Sequence, residues 1–460
     1  MRLYLTVLLS IFLVPVPAGA QTVAVITNNC SAVANLGQNN SGGTVYGDST
    51  GAIVPPPSLG RDWNTAYQTY INAAWWFLLN EIPNDPNDGI SALFAEPYLN
   101  PGAPPTMAGY LEDNPSGRFS ILSNSALYEY GLSQNTQYVS FADTLLTYSL
   151  THDLTPSNQL YWPNMPCAGA DVGLSPTVCY ELPLGALPGV FLEPDKTGEI
   201  GLSYLKTYEI DGNTALKNEA ILIGNTLAAN IRTGNAAQSP WPFRVNAATN
   251  LAPDPADDYT ASVIPQVMLF DELIRLGIGN VAAYKTARTT ALAWFFAYPL
   301  ATNQWVNYFE DVPGNLANFN AHTALFAAYY LLNNPSVDPL WKSHVAGIIS
   351  WVETNLAVSA FGANTIEEQI LYPFPMSSHT AHYAQVVALY GRLAGDPASL
   401  LKAQRALNWV TYSLLALPPA PLGGQVILNP FSTDPGMYQL WFTDGYATPL
   451  YFREVVEALQ

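Results

Sequence analysis

Two carboxylates facing each other across an aromatic cleft can cut a glycosidic bond, one protonating the leaving oxygen, the other activating water or attacking carbon. Three segments of this chain offer carboxylates in such company. Tyr308-Phe-Glu-Asp-Val-Pro313 sets Glu310 beside two rings. Ala256-Asp-Asp-Tyr259 offers Asp258, and Asp444 stands just before Gly445-Tyr446. Each Asp also has a plainer use: Asp257 or Asp258 as cap of the helix that follows, Asp311 as cap of a turn, Asp444 as a helix cap. Glu310 has less of one, because Glu is a poor cap and Tyr308 and Phe309 make its burial costly. Around these carboxylates, Trp241, Trp305, Tyr308 and Trp441 supply rings for sugar stacking. Arg244, Asn320, His322 and His379 supply polar contacts, with Tyr259 and Tyr446 alongside.

The same residues could serve elimination instead. A lyase needs a Tyr or His base and a cationic or amide group over the neighbouring uronate. Asn320, His322, Tyr259 and Arg244 could fill those roles. Against that stands the charge: 16 Lys+Arg against 35 Asp+Glu give a net −19, which repels an acidic polymer unless a local pocket around Arg118, Lys196 or Arg244 overcomes it. The same balance excludes nucleic acid and anionic membranes as partners. His379 and His382 share a helix face. Two His without a nearby Cys fall short of a zinc set, so no metal and no cofactor are expected. A third reading keeps the aromatics for sugar, assigns the carboxylates to caps and acceptors, and makes the chain a silent carbohydrate-binding protein. The expected partner in every case is a carbohydrate, bound by a monomer.

Such residues need a scaffold, and the chain repeats one. An apolar, Tyr- and Leu-rich helical stretch, a tight polar turn, an Asn or Asp and a second amphipathic helix recur at Gly131–Asn135, Glu209–Asn213, Gly277–Asn280, Asn333–Asp338 and Ala394–Asp396. Asn135, Asn213, Asn280, Asp338 and Asp396 are placed to cap the helices that follow. Pro339 and Pro397 fit a first helical position, where a missing N–H costs nothing. Periodicity predicts helices at 61–80, 122–133, 136–152, 198–210, 214–231, 258–276, 281–299, 317–332, 339–357, 378–394, 397–416 and 444–459. Helices after each cap carry more charge, as an outer ring should, and those before each turn are apolar, as an inner ring should be. Strand content is minor, at 241–245, 304–308 and 425–428.

Six hairpins from twelve helices predict an all-α fold, an (α/α)6 toroid with long rim loops, whose first and last helices meet. An open solenoid is the alternative. In this the chain resembles the six-hairpin glycosidase-like superfamily of glycoside hydrolases and polysaccharide lyases, over about residues 60–460. The resemblance is architectural and implies a carbohydrate in the central cleft; it carries no catalytic residue across. The polar loops before the inner helices are where chemistry belongs, among them Glu193, Asp195 and Glu199 before and at the start of the 198 helix.

Residues 1–20 read as a secretory signal, with Arg2, the apolar run Leu3 to Val16, and Ala18-Gly-Ala20. The protein is therefore expected to be secreted or periplasmic. Residues 21–59, rich in Asn, Ser, Gly and Pro, read as a flexible leader, and 60–460 as one catalytic domain. In an exported chain Cys167 and Cys179 are expected to form a local disulfide, with Cys30 left over; three free thiols is the other reading.

Overall fold

The computed structural model describes residues 34–38, 44–60, 62–80, 82–84, 91–94, 96–100, 106–111, 115–168, 179, 189–310, 312–416, 425–427 and 442–460. The signal at 1–20, Cys30, Asp311 and Trp441 lie outside these residues, as do the side chains of Asp444 and Tyr446.

Among the described residues twelve long helices carry the fold: α1 (Trp63–Asn80), α2 (Pro115–Ser133), α3 (Thr136–His152), α4 (Pro194–Asp211), α5 (Thr214–Ala229), α6 (Ile264–Leu276), α7 (Val281–Ala297), α8 (Ala321–Asn333), α9 (Trp341–Asn355), α10 (Ser377–Ala394), α11 (Pro397–Val410) and α12 (Phe442–Leu459). The caps explain where several of them begin. Asn135 accepts the Gln137 amide at 3.0 Å, Asn213 the Ala215 amide at 3.1 Å, Asn280 the Ala283 amide at 3.3 Å and Asp396 the Ala398 amide at 3.0 Å. Each satisfies a donor that a helix start leaves open. Pro397 takes the first position of α11. The 338 site differs from expectation. Asp338 accepts the Leu340 amide at 2.9 Å and pairs with His344, so Pro339 sits in a turn and α9 starts at Trp341.

The chain divides into two compact units. One, Asp85–Glu96 with Tyr110–Thr323, holds the hairpins α2/α3, α4/α5 and α6/α7. Burial separates their helices as the pattern predicts. Every residue of α4 from Pro194 to Leu205 is buried. Helix α3 buries a stripe of Ala142, Leu145, Leu146 and Ser149, the spacing of one helical face. The expected disulfide is present, Cys167 to Cys179 with Cα atoms 5.7 Å apart.

The other unit, Met1–Asn84, Pro97–Gly109 and Ala324–Gln460, holds α1, α9 to α12 and most of α8. Here the first and last helices pack together: the Tyr70 and Phe452 rings stack at 4.3 Å, and Tyr67 meets Phe452 edge-on at 5.3 Å. Residues 34–54, read from sequence as flexible leader, instead form a three-stranded antiparallel sheet, β1 (Ala34–Gln38), β2 (Thr44–Gly47) and β3 (Ile53–Val54). Tyr412 fixes it: its hydroxyl donates to Val54 O at 2.7 Å and accepts from Tyr46 N at 2.9 Å.

Four helix starts differ from the periodic reading by a turn or more, among them α8, which begins at Ala321 rather than at 317. Helix α2 begins at Pro115 and α4 at Pro194, so Arg118, Asp195 and Lys196 are on helices rather than in loops. Helix α6 begins later, at Ile264. Before it, Asp254 caps a short 3-10 turn, Pro255–Asp258, through the Ala256 amide at 2.8 Å, and 259–263 is not helical.

Candidate active site

Helix α4 presents its charged start to the interior. Glu193 stands at the cap position, yet its side chain makes no cap bond. Its carboxylate instead meets Arg244 Nε at 3.2 Å and Lys196 Nζ at 3.7 Å. Asp195 and Glu199 follow in the first turns, where the helix's partial positive charge favours carboxylates. Gly198 lets α6 come close: a Cβ there would stand 2.9 Å from Gln266 N. With the neighbouring helix so near, these side chains point into protein rather than solvent.

The second wall is the segment 305–312. Trp305 is fully buried, and Val306 bridges Phe319 while its carbonyl accepts the Ala261 amide at 3.1 Å. Asn307 follows in the left-handed region, at φ 59°. Asn tolerates that region best after Gly, and three side-chain bonds hold it there. Its Nδ2 donates to Ala256 O at 2.8 Å and Tyr259 O at 2.7 Å, and its Oδ1 accepts from Asn315 N at 2.9 Å. Past this bend, Lys196 Nζ donates to Tyr308 O at 2.7 Å. Arg244 Nη2 gathers the carbonyls of Phe309, Glu310 and Val312 at 3.1, 2.8 and 2.7 Å.

The result is a buried cluster in which Glu193, Asp195, Glu199, Asp257 and Glu310 surround Lys196 and Arg244, all in one compact unit. Lys196 is 0% exposed, 3.5 Å from Asp195 Oδ2 and 3.0 Å from the Tyr308 ring centroid. Burial works against its charge, but Asp195, Glu193, Glu199 and Glu310 outweigh that and hold its pKa above the ordinary lysine value. The carboxyls go the other way. Burial raises Asp195, and it pushes Asp257 up to about 6 against the pull of Arg244. Burial also pushes Glu199 up to about 8, opposed by Lys196 and by the Tyr308 hydroxyl and assisted by Asp195 and Glu310. Glu199 is therefore protonated at neutral pH. Tyr308 donates to Glu199 Oε1 at 3.3 Å and stacks on His322 with centroids 4.0 Å apart. Glu199 Oε2 and Glu310 Oε2 are buried with no hydrogen-bond partner among the described residues. Asp195 Oδ2 in the same cluster shares this state, and such oxygens are where a water or a ligand hydroxyl would bind. Solvent comes nearest at Glu310 and His322, 6% and 7% exposed.

Of the residues singled out from sequence, the structure brings together Arg244, Tyr308, Glu310 and His322. Arg244 does so as a buried clamp on backbone rather than as a surface contact. Asp258 is elsewhere engaged, its carboxylate paired with Arg232 at 2.8 Å and Gln238 at 3.1 Å. Trp241 and Trp305 are fully buried, so neither offers a ring face to solvent; the Trp241 indole donates to Leu227 O at 2.9 Å. Tyr259 is likewise buried, its hydroxyl on Gln304 O at 3.3 Å. Asn320 accepts the Thr323 amide at 3.0 Å, a helix-start bond for α8. His379 lies in the other unit at the start of α10, beside Ser378 at 3.2 Å, with burial pulling its pKa down to about 4. Glu193, Asp195 and Glu199, read from sequence only as rim residues, Lys196, read as a basic candidate, and Asp257, read as a cap, join the cluster as well. Their signal was density: four charged residues within Glu193–Glu199, in a chain only 11% charged.

No protein-family model matches this chain, and no curated protein matches it by sequence. Solved structures do. A cellobiose 2-epimerase from Spirochaeta thermophila superposes with a TM-score of 0.59 at 12% identity, over 88% of this chain and 100% of that one. A family 76 glycoside hydrolase from a bovine Bacteroides thetaiotaomicron strain gives 0.56 at 12% identity, over 85% and 78%. A D-mannose isomerase gives 0.57 at 11% identity, over 85% and 97%. The fold class is thus the all-α (α/α)6 toroid, with no one family singled out.

Proposed function

We propose that this chain is an exported carbohydrate-active enzyme that hydrolyses glycosidic bonds of a poly- or oligosaccharide, without a cofactor. The observation that carries the reading is the pair of buried carboxyls, Glu199 and Glu310, each with an open Oε2 in one cluster, and with Glu199 held protonated. Glu199 gives its proton to the leaving oxygen as the C–O bond breaks. Glu310, as carboxylate, takes a proton from the attacking water or itself attacks the anomeric carbon. His322, at the solvent edge, contacts the sugar. Asp444 as a reserve carboxylate, and Trp441 and Tyr446 as sugar contacts, are carried from the sequence reading as proposals. The disulfide fits an exported protein, and no described helix is long and apolar enough to cross a membrane.

A lyase is the weaker reading, because Arg244 has no exposed surface and its guanidinium is taken up by carboxylates and carbonyls. A second reading has an observation of its own. His379 and His382 have pKa values lowered by burial to about 4 and about 3, so both are neutral bases at the start of α10. Imidazoles one turn apart could pass a proton beside a sugar carbonyl, as in an isomerase or epimerase, although values this low make them weak bases.

A polysaccharide and oligosaccharide panel, read together for reducing ends, unsaturated-uronate absorbance and sugar isomers, separates these readings. Hydrolysis gives new ends without absorbance, and Glu310→Gln and Glu199→Gln each lower it by roughly 10²–10⁴-fold. Ends with absorbance indicate a lyase, and isomers without new ends an isomerase. Silence throughout leaves a binding protein.

A further inference from the structure

The hydrolase reading names an acid but not what fixes its proton on one of two oxygens. A carboxyl that carries its proton on the wrong oxygen is a poor donor, since the leaving group meets a lone pair instead. Around Glu199 the two oxygens are not equivalent. Oε1 faces the Tyr308 hydroxyl at 3.3 Å, whereas Oε2 has no hydrogen-bond partner among the described residues. The phenol is itself held. Its backbone carbonyl receives Lys196 Nζ at 2.7 Å, its ring stacks on His322 at 4.0 Å, and the bend at Asn307 precedes it. Tyr308 is 4% exposed, which makes its ring a poor platform for a sugar and a good fixed donor.

Resting on the hydrolase reading, we propose that Tyr308 is the positioning residue for the catalytic acid: its hydroxyl occupies Glu199 Oε1 as donor, so the transferable proton resides on Oε2. Upon reaction the proton leaves Oε2 for the glycosidic oxygen, and Tyr308 then donates to a carboxylate. A hydrogen bond to the charged form stabilises it, so Tyr308 also limits how far burial raises the Glu199 pKa.

Tyr308→Phe removes one oxygen and keeps the ring that packs on Lys196 and His322. Two arms test the proposal. In the first, infrared titration of the free protein, with Glu199→Gln to assign the band, follows the Glu199 carboxyl without any substrate. The proposal expects the carbonyl stretch of the wild type to lie at a hydrogen-bonded frequency, to move to a free one in Tyr308→Phe, and to titrate at higher pH. A wild-type band already at the free frequency overturns it, with no variant needed. In the second arm, on whatever substrate the panel identifies, Tyr308→Phe lowers kcat by roughly 10- to 100-fold, leaves KM unchanged and shifts the alkaline limb upward. An unchanged kcat and limb in an active enzyme overturn the proposal and leave the hydrolase reading standing. A shifted infrared band in a protein inactive on the whole panel supports the Tyr308 placement while removing the hydrolase reading.

Discussion

Arginine 244, with no exposed surface, holds two carboxylates and the three carbonyls of 309, 310 and 312 through a single guanidinium. Its planar fork suits that task, and lysine's single ammonium does not. Removing one partner of a buried ion pair leaves the other charge unpaired, at about 3–5 kcal/mol. Arg244→Met should therefore lower the chemical unfolding free energy by that order and abolish activity, and Arg244→Lys should rescue it only in part. Unfolding at wild-type stability would show that the clamp is dispensable. The candidate site was half legible at this scale. The rings flanking Glu310 pointed to it from sequence, because a carboxyl in apolar company must be held by something. Glu199 carries no such local sign. Its partner Tyr308 is 109 residues away and reaches it only through the bend at Asn307.

Helix ends set where these side chains stand. Asn213 caps α5 and also donates to Asp143 at 2.9 Å on α3, so Asn213→Ala should cost about 1 kcal/mol in stability and leave activity unchanged, as thermal and activity assays would show. Gly198 is a stricter position. An added methyl at Gly198→Ala meets the α6 backbone, forcing apart the two helices that frame the cluster, at about 1–3 kcal/mol with a matching loss of activity. A stable, fully active variant would contradict that contact. Element boundaries were legible where local chemistry decides them. Helix α3 runs over 136–152 as its cap and periodicity predict. They were not legible where tertiary bonds decide. The start of α6 retreats to Ile264 because Ala261 and Thr260 bond to the 306–307 backbone, the hydroxyl of Thr260 reaching Asn307 O at 2.6 Å. Likewise the sheet at 34–54 depends on Tyr412, more than 350 residues along the chain.

Across the whole molecule, folding changes proton binding in a definite direction. Glu199 and Asp153 titrate near 8 and Glu219 near 7 in the folded protein, each raised by burial above its ordinary carboxyl value. Each carboxyl is ionised in the unfolded chain but protonated in the fold, so stability present at acid pH is lost as pH rises toward these values. The buried His379 and His382, neutral in the fold but partly charged in the unfolded chain up to about pH 7.5, oppose this slope only at its lower end. The unfolding midpoint should thus fall between pH 6.5 and 8, with a slope of up to about 1.4 kcal/mol per pH unit for each group still protonated. Glu199→Gln should flatten that slope; an unchanged slope would show that Glu199 does not take up a proton on folding. The fold itself was legible because it repeats: caps and turns recur, and the twelve helices follow from them. Which rim residues converge was not, since that depends on how loops fold back. The most direct test of the Glu199 and Glu310 pair is chemical rescue of Glu310→Ala on an activated aryl glycoside of the sugar the panel identifies. Azide should restore cleavage and appear in the product as a glycosyl azide, because it replaces the missing carboxylate at the anomeric carbon. A folded Glu310→Ala protein that keeps wild-type cleavage, or that azide fails to rescue, would contradict the account.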